Sequence, residues 1–228
     1  MTRFYDHASN AVRLIYEKRI HTPPILNTET DFPHATLYAQ NWRAIRDEAQ
    51  ALRTDRMPRF HDIMPEQADI SANDNRDWRM FILKAYGIEV PENIARMPKL
   101  AGILKQCPEV LSATISVLAP HKHIPRHRGP FRGIMRFHLG LQIPKQDEGT
   151  PATLMMINDR EYRISDGETL LWDDTFPHEV INRSSQPRMA LLLDVWRPNQ
   201  PLDMAILSHA IIGAVRAGMR YRGVSFTG

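Results

Sequence analysis

From Leu111 onward, apolar and polar residues alternate with a period of two, and turn-prone stretches interrupt the alternation. The pattern predicts strands at Leu111–Ala119, His123–His127, Ile134–Ile143, Thr153–Ile157, Glu161–Ile164, Thr169–Trp172, His178–Asn182 and Arg188–Trp196. Arg128–Gly133, Lys145–Pro151 and Arg183–Pro187 carry the glycines, prolines and serines that separate several of them. In Ile134–Ile143, Met135, Phe137, Leu139, Leu141 and Ile143 share one face, with Arg136, His138 and Gln142 on the other. In Arg188–Trp196, Met189, Leu191, Leu193 and Val195 oppose Arg188 and Asp194; upstream, Ala113, Ile115 and Val117 oppose Thr114 and Ser116. Such a polar face is either a solvated outer surface or the inside of a roll whose apolar face is covered by helices. Alternation alone leaves both open.

The first third reads differently. Trp42, Ile45, Ala49 and Leu52 recur at helical spacing within 41–53, and Pro98 suits the first turn of a helix that turns Leu100, Ile103, Leu104 and Cys107 inward. Arg56–Asn75, polar and broken by Pro58 and Pro65, reads as a long surface loop. At the other end, Met204, Leu207, Ile211, Ala214, Val215 and Met219 fall on one face of a helix, with Arg216, Arg220 and Arg222 towards its end. That stripe either packs on its own domain or a partner subunit, or lies on an anionic bilayer. The expected fold is an all-β core with flanking helices: a jelly-roll, cupin-like double-stranded β-helix of about eight strands. One domain spans 1–228, divided into a helical and loop-rich flank (1–110), the roll (111–198) and a C-terminal helix (199–228).

Composition narrows the function classes. Of 228 residues, 43% are hydrophobic and 24% charged, which is ordinary globular usage and enough for one substantial core. A net charge of +3 suits an anionic small molecule, an acidic peptide or a phospholipid surface, and is too weak to indicate nucleic acid. Cys107 is the only cysteine, so no intrachain disulfide forms and a reducing compartment is expected. The N-terminus lacks a signal-peptide h-region, and no transmembrane segment is read from the chain. The expectation is a cytoplasmic protein, with peripheral membrane contact through Met204–Arg222 as an option.

Two histidines, His127 and His178, stand near the ends of candidate strands. A non-haem iron centre that activates oxygen uses two imidazoles and a carboxylate, with further positions open. The carboxylate normally follows the first histidine by two residues; here that position is Gly129. His121 and His123 lie close by in HKHIPRH and could mimic a metal cluster, but read more simply as turn and strand residues. Asp173 and Asp174 read as a turn pair or an acid/base pair, and His7, His21, His34, His61 and His209 stand in no constellation.

The stretch HRGPFRGIMRFHLGLQIPK, followed by DGETLLWDDTFPHEVINRSSQPRMALLLDVWRP, resembles the catalytic core of the aspartyl/asparaginyl β-hydroxylase family, with a weaker match in WRMFILKAYG. The likeness covers about Leu111–Pro198, and animal members are similar in carrying glycine where Gly129 stands. It implies a double-stranded β-helix that uses Fe(II), 2-oxoglutarate and O₂ to hydroxylate an unactivated carbon, yielding succinate and carbon dioxide. By the resemblance, His127 and His178 hold the iron, and Arg188 pairs with the distal carboxylate of 2-oxoglutarate. Ser116, Arg136 and His138 support it, Trp78 lies near the same pocket, and Asp174 holds an iron-bound water. Fe²⁺ with two neutral imidazoles and doubly ionised 2-oxoglutarate is electrically balanced without a protein carboxylate. The implied substrate is an aspartyl or asparaginyl unit, free or in a peptide. A lipid acyl chain is the alternative, because the N-terminal third is somewhat similar to the lipid hydroxylases of the same family. A halogenase with chloride in the vacated position, or a metal-binding cupin-like protein without turnover, are the remaining readings.

Overall fold

The computed structural model describes residues 2–222, and the side chains of 7–221. Its helices are α1 (Thr2–Glu17), α2 (Thr28–Asp31), α3 (Ala35–Gln40), α4 (Trp42–Gln50), α5 (Phe60–Ile63), α6 (Ala68–Ser71), α7 (Pro91–Arg96), α8 (Pro98–Leu104) and α9 (Leu202–Arg222). The strands are β1 (Trp78–Ala85), β2 (Ile88–Glu89), β3 (Val110–Leu118), β4 (His123–His127), β5 (Ile134–Gln142), β6 (Thr153–Ile157), β7 (Arg160–Tyr162), β8 (Thr169–Trp172), β9 (His178–Asn182) and β10 (Arg188–Trp196). They form a six-stranded sheet in the order β2-β1-β3-β10-β5-β8 and a four-stranded sheet in the order β4-β9-β6-β7, antiparallel throughout. From β3 to β10 the chain passes back and forth between the two sheets, which makes a double-stranded β-helix.

The packing around β3, β5 and β10 decides which face looks where. Ala113, Ile115, Val117, Met135, Phe137, Leu139, Leu141, Leu191 and Leu193 form one cluster with Phe32, Tyr38, Ile45, Ala49, Leu100 and Ile103, so the helices cover the apolar face. The opposite face of the same strands looks across at the small sheet. There Met80, Ile82, Trp172, Ala190 and Leu192 meet Ile124, Met155, Ile157 and Val180. The polar positions of β3, β5 and β10 therefore line the inside of the roll. A buried Leu or Ile contributes roughly 1.5–3 kcal/mol, so a one-residue slip that turned these faces round would cost far more than any polar contact could return.

Three expectations need correction. The flank is not only helical: Trp78–Ala85 is a full strand of the large sheet, paired with β3. It is apolar on both faces, with Phe81 and Leu83 toward the helices and Met80 and Ile82 toward the roll, so it lacks the alternation that marks a half-buried strand. The stretch 56–75 is not an open loop. It folds into short helical turns that bury Met57, Ile70 and Ser71. Finally, the 20-residue span Leu202–Tyr221 is a helix long and apolar enough to cross a membrane by length and composition, contrary to the sequence reading. Its Met204 packs with Tyr16, Ile20 and Phe131, and Leu207 and Ile211 pack against that cluster, so this part of the stripe read from sequence is turned to the domain, whereas Ala214 is exposed and Ile212, outside the stripe, is buried.

Candidate active site

His127 closes β4 and His178 opens β9, and the two residues stand directly opposite in the β4–β9 ladder. Their rings lie 4.1 Å apart, centroid to centroid, at 58°. Each is oriented by a backbone carbonyl two residues upstream: His127 Nδ1 is 2.7 Å from Pro125 O, and His178 Nδ1 is 2.9 Å from Phe176 O. A carbonyl only accepts, so both Nδ1 atoms carry the proton and both Nε2 atoms keep a bare lone pair. Burial lowers the pKa of both rings, His178 well below the ordinary histidine value, with the neighbouring His127 adding to it. The pair is neutral at pH 7, the form in which imidazole ligates a metal ion.

The turn between β8 and β9 is held by Asp173. Fully buried, it receives Arg132 Nε at 3.0 Å, Arg197 Nη2 at 2.7 Å and the Thr175 hydroxyl at 2.6 Å. Asp173 is thus a structural anchor, and the two aspartates are not an acid/base pair. Asp174 points the other way. Arg136 bridges it, at 3.2 Å, to Asp194 at 2.7 Å. The Gly129 amide donates to the Asp174 carbonyl at 2.6 Å, and a Cβ built on Gly129 would fall within the Asp174 carboxylate. The space that a side chain at position 129 would take is therefore filled by a carboxylate reaching across from the β8–β9 turn.

Burial raises the Asp174 carboxyl to about 6, against the lowering effect of Arg136. With the folded pKa above the unfolded one, ionised Asp174 costs stability fully above pH 6, and that cost disappears as pH falls to about 3.8. Asp174→Asn is therefore expected to stabilise the metal-free protein at pH 8 by on the order of 2–3 kcal/mol and by almost nothing near pH 4. Chemical denaturation at the two pH values measures it; a gain that does not depend on pH would contradict the assignment.

At the other end of the roll, Arg188 is 2% exposed, and among the described residues its Nε and Nη2 have no hydrogen-bond partner. Burial alone brings its pKa down to about 10. On the neighbouring strands, Ser116 Oγ accepts from Trp78 Nε1 at 3.0 Å, and Phe60 stacks on Trp78 at 4.0 Å. His138 is buried, held neutral by burial and by the Arg188 charge, and its Nδ1 is also unpartnered among the described residues. Trp172 links the two ends, edge-on to His178 at 4.5 Å and to His138 at 5.6 Å, with Nε1 unpartnered.

The structure thus brings together His127 and His178, with Asp174 and Arg136 beside Gly129 and with Arg188, His138, Ser116 and Trp78 further along. It separates out His123, bound to Glu179 at 2.9 Å, and His121, a turn residue with φ 57°. Arg136 spends its guanidinium on two carboxylates, unlike Arg188. Trp172 and Phe60 were not singled out from sequence, and Asp194 was placed on a polar strand face without a role. Trp172 opens the WDDTFPHEV motif and reads as core there, because a large apolar side chain carries no mark of what it packs against. Among the described residues, one set of three ligand-type side chains has donor atoms within 4.8 Å of one another: His34, Cys107 and Glu109. Cys107 and Glu109 lie between α8 and β3, on the helical side, so this set is not the imidazole pair.

Residues 39–198 match the aspartyl/asparaginyl beta-hydroxylase family profile. The chain belongs to that family. It is 32% identical over 203 residues to an ornithine lipid ester-linked acyl 2-hydroxylase of Rhizobium tropici, covering 87% of this chain and 70% of the relative. To the human aspartyl/asparaginyl beta-hydroxylase it is 30% identical over 164 residues, covering 70% of this chain but only 20% of the human protein. Among solved structures it is similar to the Schizosaccharomyces pombe Cnp3 cupin domain, with a TM-score of 0.33 and 9% identity over 45% of this chain and 61% of that one. As a member of the β-hydroxylase family it is an enzyme of the hydroxylase type, and the residues described above lie within or immediately beside the matched segment.

Proposed function

We propose that this hydroxylase depends on iron(II) and 2-oxoglutarate, with His127 and His178 as the only protein ligands and Arg188 as the anchor of the cosubstrate. The carrying observation is Arg188. A guanidinium buried in a roll without a carboxylate partner is costly, and a bidentate carboxylate is the ligand that suits it. The group that fits is a short dianion long enough to reach from Arg188 toward the imidazole pair. When bound, iron and 2-oxoglutarate supply the oxidising power for C–H hydroxylation.

The chain's own residues prepare this chemistry. Pro125 O and Phe176 O fix the tautomer of the two imidazoles and aim Nε2. Trp172 packs against His178 and His138, holding both rings in place. The Ser116 hydroxyl, with its oxygen accepting from Trp78, has its proton left for a carboxylate oxygen. Asp174, whose carboxylate fills the side-chain space at Gly129, would hold a water beside the metal in place of a third ligand; a carboxylate there disfavours chloride, so hydroxylation is preferred to halogenation. Arg136 is a positioning residue for Asp174.

The two relatives' names describe one reacting unit. The β-carbon of an aspartyl residue and carbon 2 of an acyl ester are both methylenes bonded to a carbonyl carbon. The family description favours the aspartyl or asparaginyl β-carbon. The acyl reading is favoured by the reach of the Rhizobium match, over 87% of the chain. A cytoplasmic enzyme working peripherally at the membrane is part of that second reading.

His178→Ala is expected to abolish succinate formation and to weaken metal binding by more than the roughly 10–100-fold that loss of an outer partner costs, with the thermal unfolding of the metal-free protein little changed. Anaerobic titration of iron(II) and 2-oxoglutarate, then oxygen-dependent product analysis on peptides and lipids, tests the reading. Retained turnover in His178→Ala would end it.

A further inference from the structure

α9 is apolar on both sides. Its inner face, Met204 and Ile212, packs on the domain, while Tyr16 Oη bonds the Ser208 hydroxyl at 2.7 Å. Its outer face carries Leu202, Ile206, Ala210, Gly213, Ala217 and Tyr221, all exposed. A helix that is apolar all round belongs in a core or in lipid. Here only 17% of its most apolar window is buried inside the protein. The five large hydrophobic residues that stand exposed among the described residues are Leu202, Ile206 and Tyr221 of α9 and Leu14 and Ile15 of α1. Arg19, just past the end of α1, pairs with Asp203 at 2.8 Å, and Tyr16 of α1 bonds Ser208 of α9, so the two helices pack against each other and form an α1/α9 surface on which both carry exposed apolar side chains.

Two further features say what covers it. The surface is basic: Asp203, the only acidic residue of α9, is neutralised by Arg19, leaving Lys18 and Arg220 exposed and Arg216 at Tyr86. And it adjoins the active site. Arg13, next to Leu14, donates to the Gly129 carbonyl at 3.0 Å, and Glu17 pairs with Arg128 at 2.5 Å, so α1 is fastened to the segment that directly follows His127. We infer that the α1/α9 surface docks on an anionic lipid bilayer and so brings the roll to acyl chains there. An apolar strip with cations beside it suits acyl chains below and anionic headgroups around. This inference rests on the acyl-chain reading of the active site.

The test uses the full chain with vesicles of phosphatidylcholine alone and of phosphatidylcholine with phosphatidylglycerol, read by co-sedimentation. Wild type is expected to bind the anionic vesicles, less so at high salt. Leu202→Ser with Ile206→Ser is expected to reduce binding by on the order of tenfold or more, at unchanged thermal unfolding. Lys18→Glu with Arg220→Glu, which leaves the apolar strip intact, is expected to weaken binding to anionic vesicles only. No wild-type binding overturns the inference, as does a self-associating protein whose dimer, and not vesicle binding, is lost in the serine variant. Docking and the acyl reading fail separately: vesicle binding with hydroxylation of peptides alone removes the acyl substrate, whereas hydroxylation of a detergent-dispersed lipid without vesicle binding removes the docking.

Discussion

Arg188→Met is expected to leave the metal-free protein more stable than wild type while abolishing its response to 2-oxoglutarate. In the structure the Arg188 guanidinium is buried, and its Nε and Nη2 meet no partner among the described residues. Taking such a charge out of water costs several kcal/mol that no protein carboxylate returns here. Methionine keeps the unbranched stem and fills the same space without the charge. A gain of roughly 1–3 kcal/mol is expected, or several degrees in Tm for a chain of this size. The loss on the other side is larger. A bidentate charge-assisted pair in a dry pocket carries several kcal/mol, so 2-oxoglutarate binding should weaken on the order of 100-fold or more. Thermal unfolding with a non-oxidising divalent metal, with and without 2-oxoglutarate, separates the effects: metal stabilises the variant, and 2-oxoglutarate adds nothing. Near-normal 2-oxoglutarate affinity in Arg188→Met would remove the anchor from the proposed site.

Restoring the apparently missing carboxylate is expected to fail. Gly129→Asp places a Cβ 2.6 Å from Asp174 Oδ2 and closer still to Oδ1. Asp174 cannot simply swing aside, since it is buried, bonded through its own carbonyl to the Gly129 amide and held by Arg136. The overlap and the meeting of two carboxylates should destabilise the protein by about 2–4 kcal/mol and lower metal binding. Gly129→Asp combined with Asp174→Gly should recover most of that stability, because one carboxylate then occupies the space of the other. Urea unfolding of the two single variants and the double gives the coupling. Additive effects would mean that the two positions do not compete for the same space.

The roll was legible because alternation is a local property. In β3, β5 and β10 the alternating apolar side chains such as Ile115, Phe137 and Leu191 face the helices and the polar ones the interior, where Leu118, Ala190 and Leu192 also lie, so the strand boundaries could be read within a residue or two. The imidazole pair was also legible, since His127 and His178 end and begin strands within a dense family motif. Segments without a phase were harder. Trp78–Ala85 is apolar on both faces, and α9 is apolar all round, so periodicity named α9 as a helix but not the function of its outer side.

By itself the sequence determined the strand pattern, the division of the alternating strands into an apolar and a polar face, the family, and the residue types available for chemistry. Only the tertiary structure decided that the polar strand faces look into the roll, that the Asp174 carboxylate fills the space beside Gly129, that Arg136 is taken by two aspartates while Arg188 faces none, and that α1 packs against α9. The physical reason is range. Periodicity records how a residue sits relative to its chain neighbours, whereas these pairings depend on which distant segment packs against it, and a lone Gly, Trp or Arg carries no trace of that partner in its own surroundings.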